Sequence, residues 1–160
     1  MRIGITGSLS SGKSSVAEIL SNKKDIVFSA DKVVKKFYTS KKFKKIISKK
    51  FKIKTNNIKQ EIKKRLLNKK ISLKELGKII HPTVRKEMIA FSKKKQNKNV
   101  IIFEIPLLIE SRLMNFFDAI ILVIAPKKLR IKRYLKNGGD RSMFNLLDKN
   151  QMPQRKKTYY

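Results

Sequence analysis

The sequence predicts an α/β fold, a parallel sheet with helices on both faces. Short apolar runs suited to buried strands alternate along the chain with longer stretches of helical periodicity. The first run, Arg2 to Thr6, feeds directly into Gly7-Ser8-Leu9-Ser10-Ser11-Gly12-Lys13-Ser14, and Ser15 to Leu20 then reads as the start of a helix. The 160 residues contain no internal repeat and no Pro/Gly/Ser-rich linker, so a single domain is expected.

Gly7 to Ser14 has the spacing G-x-x-x-x-G-K-S in the strand–loop–helix context that this motif requires. Glycine lets the backbone curl so that successive N–H groups point inward, where they bind anionic oxygens. The helix N-terminus adds partial positive charge at the same point. Gly7, Ser10, Ser11, Gly12, Lys13, Ser14 and Ser15 are therefore expected to hold the phosphates of a nucleoside triphosphate such as ATP. Lys13 would reach the β- and γ-phosphates, and the Ser14 hydroxyl would hold Mg²⁺.

A second strand is expected over Asp25 to Ser29, ending in Ala30-Asp31. A carboxylate just past a strand's carboxyl end lies on the edge where open α/β sheets bind ligands. Asp31 is therefore a candidate catalytic group, and equally the N-cap of an amphipathic helix through Val33-Val34 and Phe37-Tyr38. Residues 40 to 80 read as a lysine-rich helical insertion, with Phe43, Ile46, Ile47, Ile58, Ile62, Leu66 and Leu67 at near-helical spacing. Ser72 with Glu75 forms a capping-box pattern for Leu73 to Ile80. His81-Pro82 is expected to break one helix and start the next, with Arg85 projecting beside His81 as a phosphate-binding cation.

Asn99 to Glu104 is the clearest buried strand, and Glu104 at its end suits contact with Mg²⁺ through water. Asp118 to Ala125 is the fourth strand. Pro126 begins a basic helix carrying Arg130, Lys132, Arg133 and Lys136, broken by Gly138-Gly139. Arginine on a hinged flap there suits covering a triphosphate, and a solvated helix face is the alternative. A further helix is expected over Asp140 to Gln151.

Composition limits the classes of function. The absence of cysteine excludes disulfides and thiolate metal sites. No apolar stretch approaches a membrane span and the N-terminus enters a strand, so a cytoplasmic protein with no membrane partner is expected. Forty-one basic against eleven acidic residues give a net charge of +30. The lysines are spread along the chain, and Lys, Ile, Asn and Phe share A/T-rich codons. This fits compositional drift on solvated surfaces, with some help in attracting a polyanionic substrate. Dedicated nucleic-acid binding is the alternative, although aromatics interleaved with arginine on one face are missing.

Taken together, these segments resemble the dephospho-CoA kinase family over nearly the whole chain. The resemblance rests on Ile3-Gly4-Ile5-Thr6-Gly7, Ser11-Gly12-Lys13-Ser14, Ala30-Asp31, Ile79-Ile80-His81-Pro82 with Arg85, Pro106-Leu107-Leu108 with Glu110, Arg133, and Gln151-Met152-Pro153 with Lys157. It implies a P-loop NTPase fold of three layers. Residues 1–35 and 98–126 would form the core, about 36–97 a helical lobe on the coenzyme side, and about 127–150 a lid. It implies transfer of the ATP γ-phosphate to the ribose 3′-hydroxyl of dephospho-CoA. Asp31 would be base or orienter, Lys13 and Arg133 would offset phosphate charge, and His81 and Arg85 would contact the acceptor. A P-loop kinase for another nucleotide-like acceptor, and a basic nucleic-acid-binding protein with a vestigial loop, are the other readings.

The chain departs from the family pattern in several places. Ser8 replaces a second glycine, which requires a negative φ there. Ser29 replaces the first acid of an Asp-Ala-Asp, Glu104 replaces a strand-end aspartate, and the second lid arginine is Lys136 or Asn137. Family members continue past Tyr160 with another strand and helix, so weaker ATP binding or lower stability than in a longer relative is expected, from an unpaired sheet edge. Oligomeric state is not indicated.

Overall fold

Four parallel strands in the order β2-β3-β1-β4 set the frame of the protein in a computed structural model that describes residues 1–21, 26–54 and 57–160. They are β1 (Arg2–Gly7), β2 (Val27–Ser29), β3 (Ile101–Glu104) and β4 (Ala119–Val123). The helices are α1 (Lys13–Leu20), α2 (Ala30–Thr39), α3 (Lys41–Phe51), α4 (Ile58–Leu67), α5 (Leu73–Lys94), α6 (Lys127–Lys136), α7 (Arg141–Lys149) and α8 (Gln154–Lys157). The expected α/β class with a parallel sheet is what forms. Asp25, part of the expected second strand, lies outside the described residues.

The chain divides into two compact units, Met1–Ala30 with Met88–Tyr160, and Asp31–Glu87. In the first unit, strand alternation separates two apolar layers. Register pairs Ile3 with Ile102, Ile5 with Glu104, and Ile5 with Ile121, so these side chains share one face. On that face Ile5, Ile102 and Ala17 of α1 form a buried cluster, with Val16, Val27 and Val123 packed against it. Phe103 points the other way and meets Phe28, Phe91 of α5, Phe116 and Phe117, at centroid separations of 5.5 to 5.9 Å. Helices thus cover both faces of the sheet, as expected.

The strands are shorter than their apolar runs. Asp118 precedes the β4 ladder, and its carboxylate accepts the Arg2 N–H at 2.6 Å. The backbone hydrogen bond and the Arg2 charge hold its pKa below the ordinary value. β4 is an edge of the described sheet, with Ile120 and Ile124 exposed. An apolar groove there is lined by Ile109, Leu122, Ile124 and Tyr160, among others.

The second unit is helical. Phe43, Ile47 and Phe51 on α3, and Ile58, Ile62 and Leu66 on α4, recur every four residues and are buried. Ile46 and Leu67, beside those stripes, are exposed. Arg65 closes the turn after α3, pairing with Glu61 at 2.6 Å and donating to the carbonyls of Phe51 and Lys52. The capping box forms as expected. The Ser72 N–H donates to Glu75 Oε2 at 2.8 Å, and the Glu75 N–H donates to Ser72 Oγ at 3.1 Å.

The expected break at His81-Pro82 does not occur, because α5 runs through both residues. Proline removes one donor, which would have served Lys78 one turn earlier. Lys78 and Pro82 are both exposed, so water can take the spare carbonyl, and the remaining turns hold the helix.

Candidate active site

β1 delivers Gly7 into the phosphate loop at the carboxyl end of the sheet. Its φ is +148°, and a Cβ there would lie 2.3 Å from the Val123 carbonyl oxygen, so no larger residue fits. The loop closes with the Ser11 N–H on the Ser8 carbonyl at 3.1 Å. It ends at Gly12, φ +109°, which leads into α1. Ser8 keeps a negative φ, so its replacement of glycine is accommodated. The left-handed turn falls on Ser10, φ +57°.

Lys13 is buried, and its Nζ donates to the Ser8 carbonyl at 2.9 Å, placing the ammonium across the loop. Ser14 faces Glu104, whose Oε1 accepts the seryl hydroxyl at 2.5 Å. The pairing follows from register: Glu104 shares the α1 face with Ile5, at the end of a strand beside β1. Glu104 is 6% exposed, so its carboxylate is held where the loop meets the sheet. A hydroxyl and a carboxylate there are hard oxygen donors of the kind Mg²⁺ takes alongside phosphate and water.

α6 comes down on the loop. Arg133 Nη1 donates to the Ser11 carbonyl at 2.9 Å. The Gly138 φ of +77° and a Gly139 N–H on the Tyr134 carbonyl end α6, so the glycine pair acts as a helix stop. Lys136 and Asn137, the two alternatives for a second lid cation in the family resemblance, are both exposed. α7 starts at Asp140, whose side chain caps the Met143 N–H at 2.8 Å.

Sequence reasoning missed Asp148, placed Arg130 only among the cations of the flap helix, and met Gln151 only within the family motif. Arg130 is 6% exposed and binds Asp148 at 2.6 Å and the Leu9 carbonyl at 3.3 Å. The Leu9 N–H donates to Gln151 Oε1 at 2.9 Å. Arg130 and Arg133 lie one turn apart on one helix, which was the available signal. A second connection joins Glu110 to Lys157 at 2.8 Å, with the Met152 N–H also on Glu110 at 3.0 Å. Lys157 reaches the Pro106 carbonyl, which the Thr6 hydroxyl shares at 3.1 Å.

The remaining candidates belong to the helical unit. Asp31 is exposed in the first turn of α2, which begins at Ala30, so it lies inside the helix and does not cap it. The His81 ring packs over Gly77, one turn earlier, where a Cβ would sit 3.1 Å from its Cε1. Partial desolvation, then the Arg85 charge one turn on, lower its pKa, which favours neutral imidazole at pH 7.

Lys13 and Ser14, following a glycine-bounded loop closed by Ser11 on Ser8 at the end of a parallel sheet, define a P-loop nucleotide-binding protein. A family model described as dephospho-CoA kinase matches residues 1–159. A dephospho-CoA kinase of Bartonella quintana is 33% identical, over 97% of this chain and 83% of its own length. One of Fusobacterium nucleatum is 37% identical, over 85% of this chain and 72% of its own length. A crystal structure from Thermus thermophilus superposes with a TM-score of 0.74 at 25% identity, covering 99% of this chain and 84% of that one. A deoxyadenosine kinase from M. mycoides with bound dATP shares the fold, with a TM-score of 0.54 at 18% identity, covering 100% of this chain and 87% of that one. The chain belongs to the dephospho-CoA kinase family.

Proposed function

We propose that this chain transfers the γ-phosphoryl group of ATP to the ribose 3′-hydroxyl of dephospho-CoA, giving coenzyme A and ADP. The observation that carries the chemistry is the Ser14–Glu104 contact at 2.5 Å, beside a loop on which Lys13 and Arg133 both converge. Family membership supplies the acceptor. The loop N–H groups and Lys13 would bind the β- and γ-phosphates, and Arg133 would neutralise charge at the transferring group. Mg²⁺, held by Ser14 and by Glu104 through water, would supply charge neutralisation between the phosphates.

In the transfer, the bond from the acceptor oxygen to the γ-phosphorus forms as the bond to the β-phosphate oxygen breaks. Asp31 is assigned to orient the 3′-hydroxyl and take its proton, and ADP leaves. His81, neutral at pH 7, and Arg85 are assigned to the acceptor, the guanidinium suiting its phosphates. On this reading Asp31–Glu87 is the acceptor lobe and α6 with α7 the lid. No helix among the described residues is long and apolar enough to cross a membrane.

Coupled ADP release measured with dephospho-CoA and a panel of other hydroxyl acceptors tests the reading. Release should depend on dephospho-CoA and fall at least about a hundredfold in Asp31→Asn. Faster release with another nucleoside acceptor would reassign the substrate.

A further inference from the structure

We propose that Arg130 is a positioning residue for ATP, acting through the Leu9–Ser10 peptide of the phosphate loop. In a trans peptide the carbonyl and the following N–H point in opposite directions within one plane. Holding the Leu9 carbonyl from outside therefore fixes where the Ser10 N–H points. Arg130 Nη1 holds that carbonyl at 3.3 Å, and Gln151 holds the neighbouring Leu9 N–H at 2.9 Å. The two peptides flanking Leu9 are each anchored by a side chain more than a hundred residues away.

The anchor sits where the backbone needs one. Ser10 adopts φ +57°, a region that non-glycine residues disfavour and that persists only where the surroundings enforce it. φ is the rotation between the held peptide and the Ser10 Cα. Without Arg130, Ser10 would be free to relax to negative φ and turn its N–H, which the phosphate-loop reading assigns to the triphosphate, away from it.

Arg130 is itself built into place. Asp148 binds Nη1 at 2.6 Å, with Lys127 on the other Asp148 oxygen at 3.4 Å. The Phe144 ring lies 5.6 Å from the guanidinium carbon. Arg130 Nε is buried with no hydrogen-bond partner among the described residues. Methionine would fill similar volume without that cost, so packing alone does not call for an arginine here. The residue is better explained by what Nη1 holds. This inference concerns the ATP end and rests on ATP being the donor.

Calorimetric ATP binding and steady-state kinetics of the full chain test it with Arg130→Met, Asp148→Asn, Gln151→Ala and the pair Arg130→Met with Ser10→Gly. Arg130→Met should weaken ATP about tenfold or more, the scale of a lost charge-assisted hydrogen bond, with kcat and acceptor KM within about twofold. Asp148→Asn and Gln151→Ala should shift ATP affinity in the same direction by smaller factors. Glycine tolerates positive φ, so Ser10→Gly should return the Arg130→Met protein to within about threefold of wild type. Unchanged ATP affinity in Arg130→Met, a parallel loss for both substrates, or no rescue by Ser10→Gly would overturn the proposal. Failure of the wild-type chain to bind ATP would instead remove the donor assignment on which it rests.

Discussion

Replacing Lys157 by methionine removes the ammonium from a side chain that is 0% exposed and sits 2.8 Å from Glu110. Methionine keeps most of the volume, so the loss is chiefly electrostatic. Glu110 would retain the Met152 N–H at 3.0 Å, but its Oε2 already lacks a hydrogen-bond partner among the described residues. Stranding one partner of a buried pair costs about 3–5 kcal/mol. The Glu110 side chain is 20% exposed, and partial hydration reduces the cost to about 2–3 kcal/mol. At about 2–4 °C per kcal/mol for a chain of this size, the melting temperature should fall by about 4–12 °C. Urea unfolding should show a lower midpoint at unchanged slope. Pairing Lys157→Met with Glu110→Leu removes the stranded carboxylate and should recover at least half of the loss. A single variant within about 0.5 kcal/mol of wild type, or a double variant as unstable as the single, would show that the stranded Glu110 carboxylate is not the source of the loss.

Gly7→Ala places a methyl against the Val123 carbonyl at an unfavourable φ, so it should cost about 2–4 kcal/mol and abolish measurable ATP binding, checked by melting and calorimetry. His81 has a lowered pKa when folded, so the unfolded chain binds the proton more readily. Stability should therefore fall as pH drops through His81's ordinary value of 6.5 and level off below the folded value, a slope that His81→Asn should remove from urea titrations. Ile124, 54% exposed beside the β4 edge, should promote association, so Ile124→Lys should reduce light scattering at high concentration without changing the melting temperature by more than about 2 °C.

Features governed by neighbours in sequence were the most legible. The loop from Gly7 to Ser14 and the Ser72–Glu75 box each depend on a few adjacent residues, and both form as expected. Buried stripes on α3 and α4 were equally visible, although periodicity alone did not exclude exposed Ile46 and Leu67. Pro82 misled because its steric rule is local, whereas a helix of 22 residues tolerates one missing donor at an exposed turn. The connections around the loop were hidden for a different reason. Arg130 reaches Leu9 across 121 residues and Ser14 reaches Glu104 across 90, partnerships set by the β2-β3-β1-β4 order and the placement of α6. Glu104 could still be named because a strand-end carboxylate has a recognised role. Arg130 carried no such label and was indistinguishable from the other cations of a basic helix.

The phosphorylated product identifies the reaction most directly. Incubating the full chain with Mg²⁺, ATP and dephospho-CoA, then recording phosphorus NMR and mass spectra, should show one added phosphoryl group on the ribose 3′-oxygen and one ADP per product. ATP consumed with no phosphorylated acceptor, or phosphate carried on another position, would rule out 3′-hydroxyl phosphorylation of dephospho-CoA by this chain.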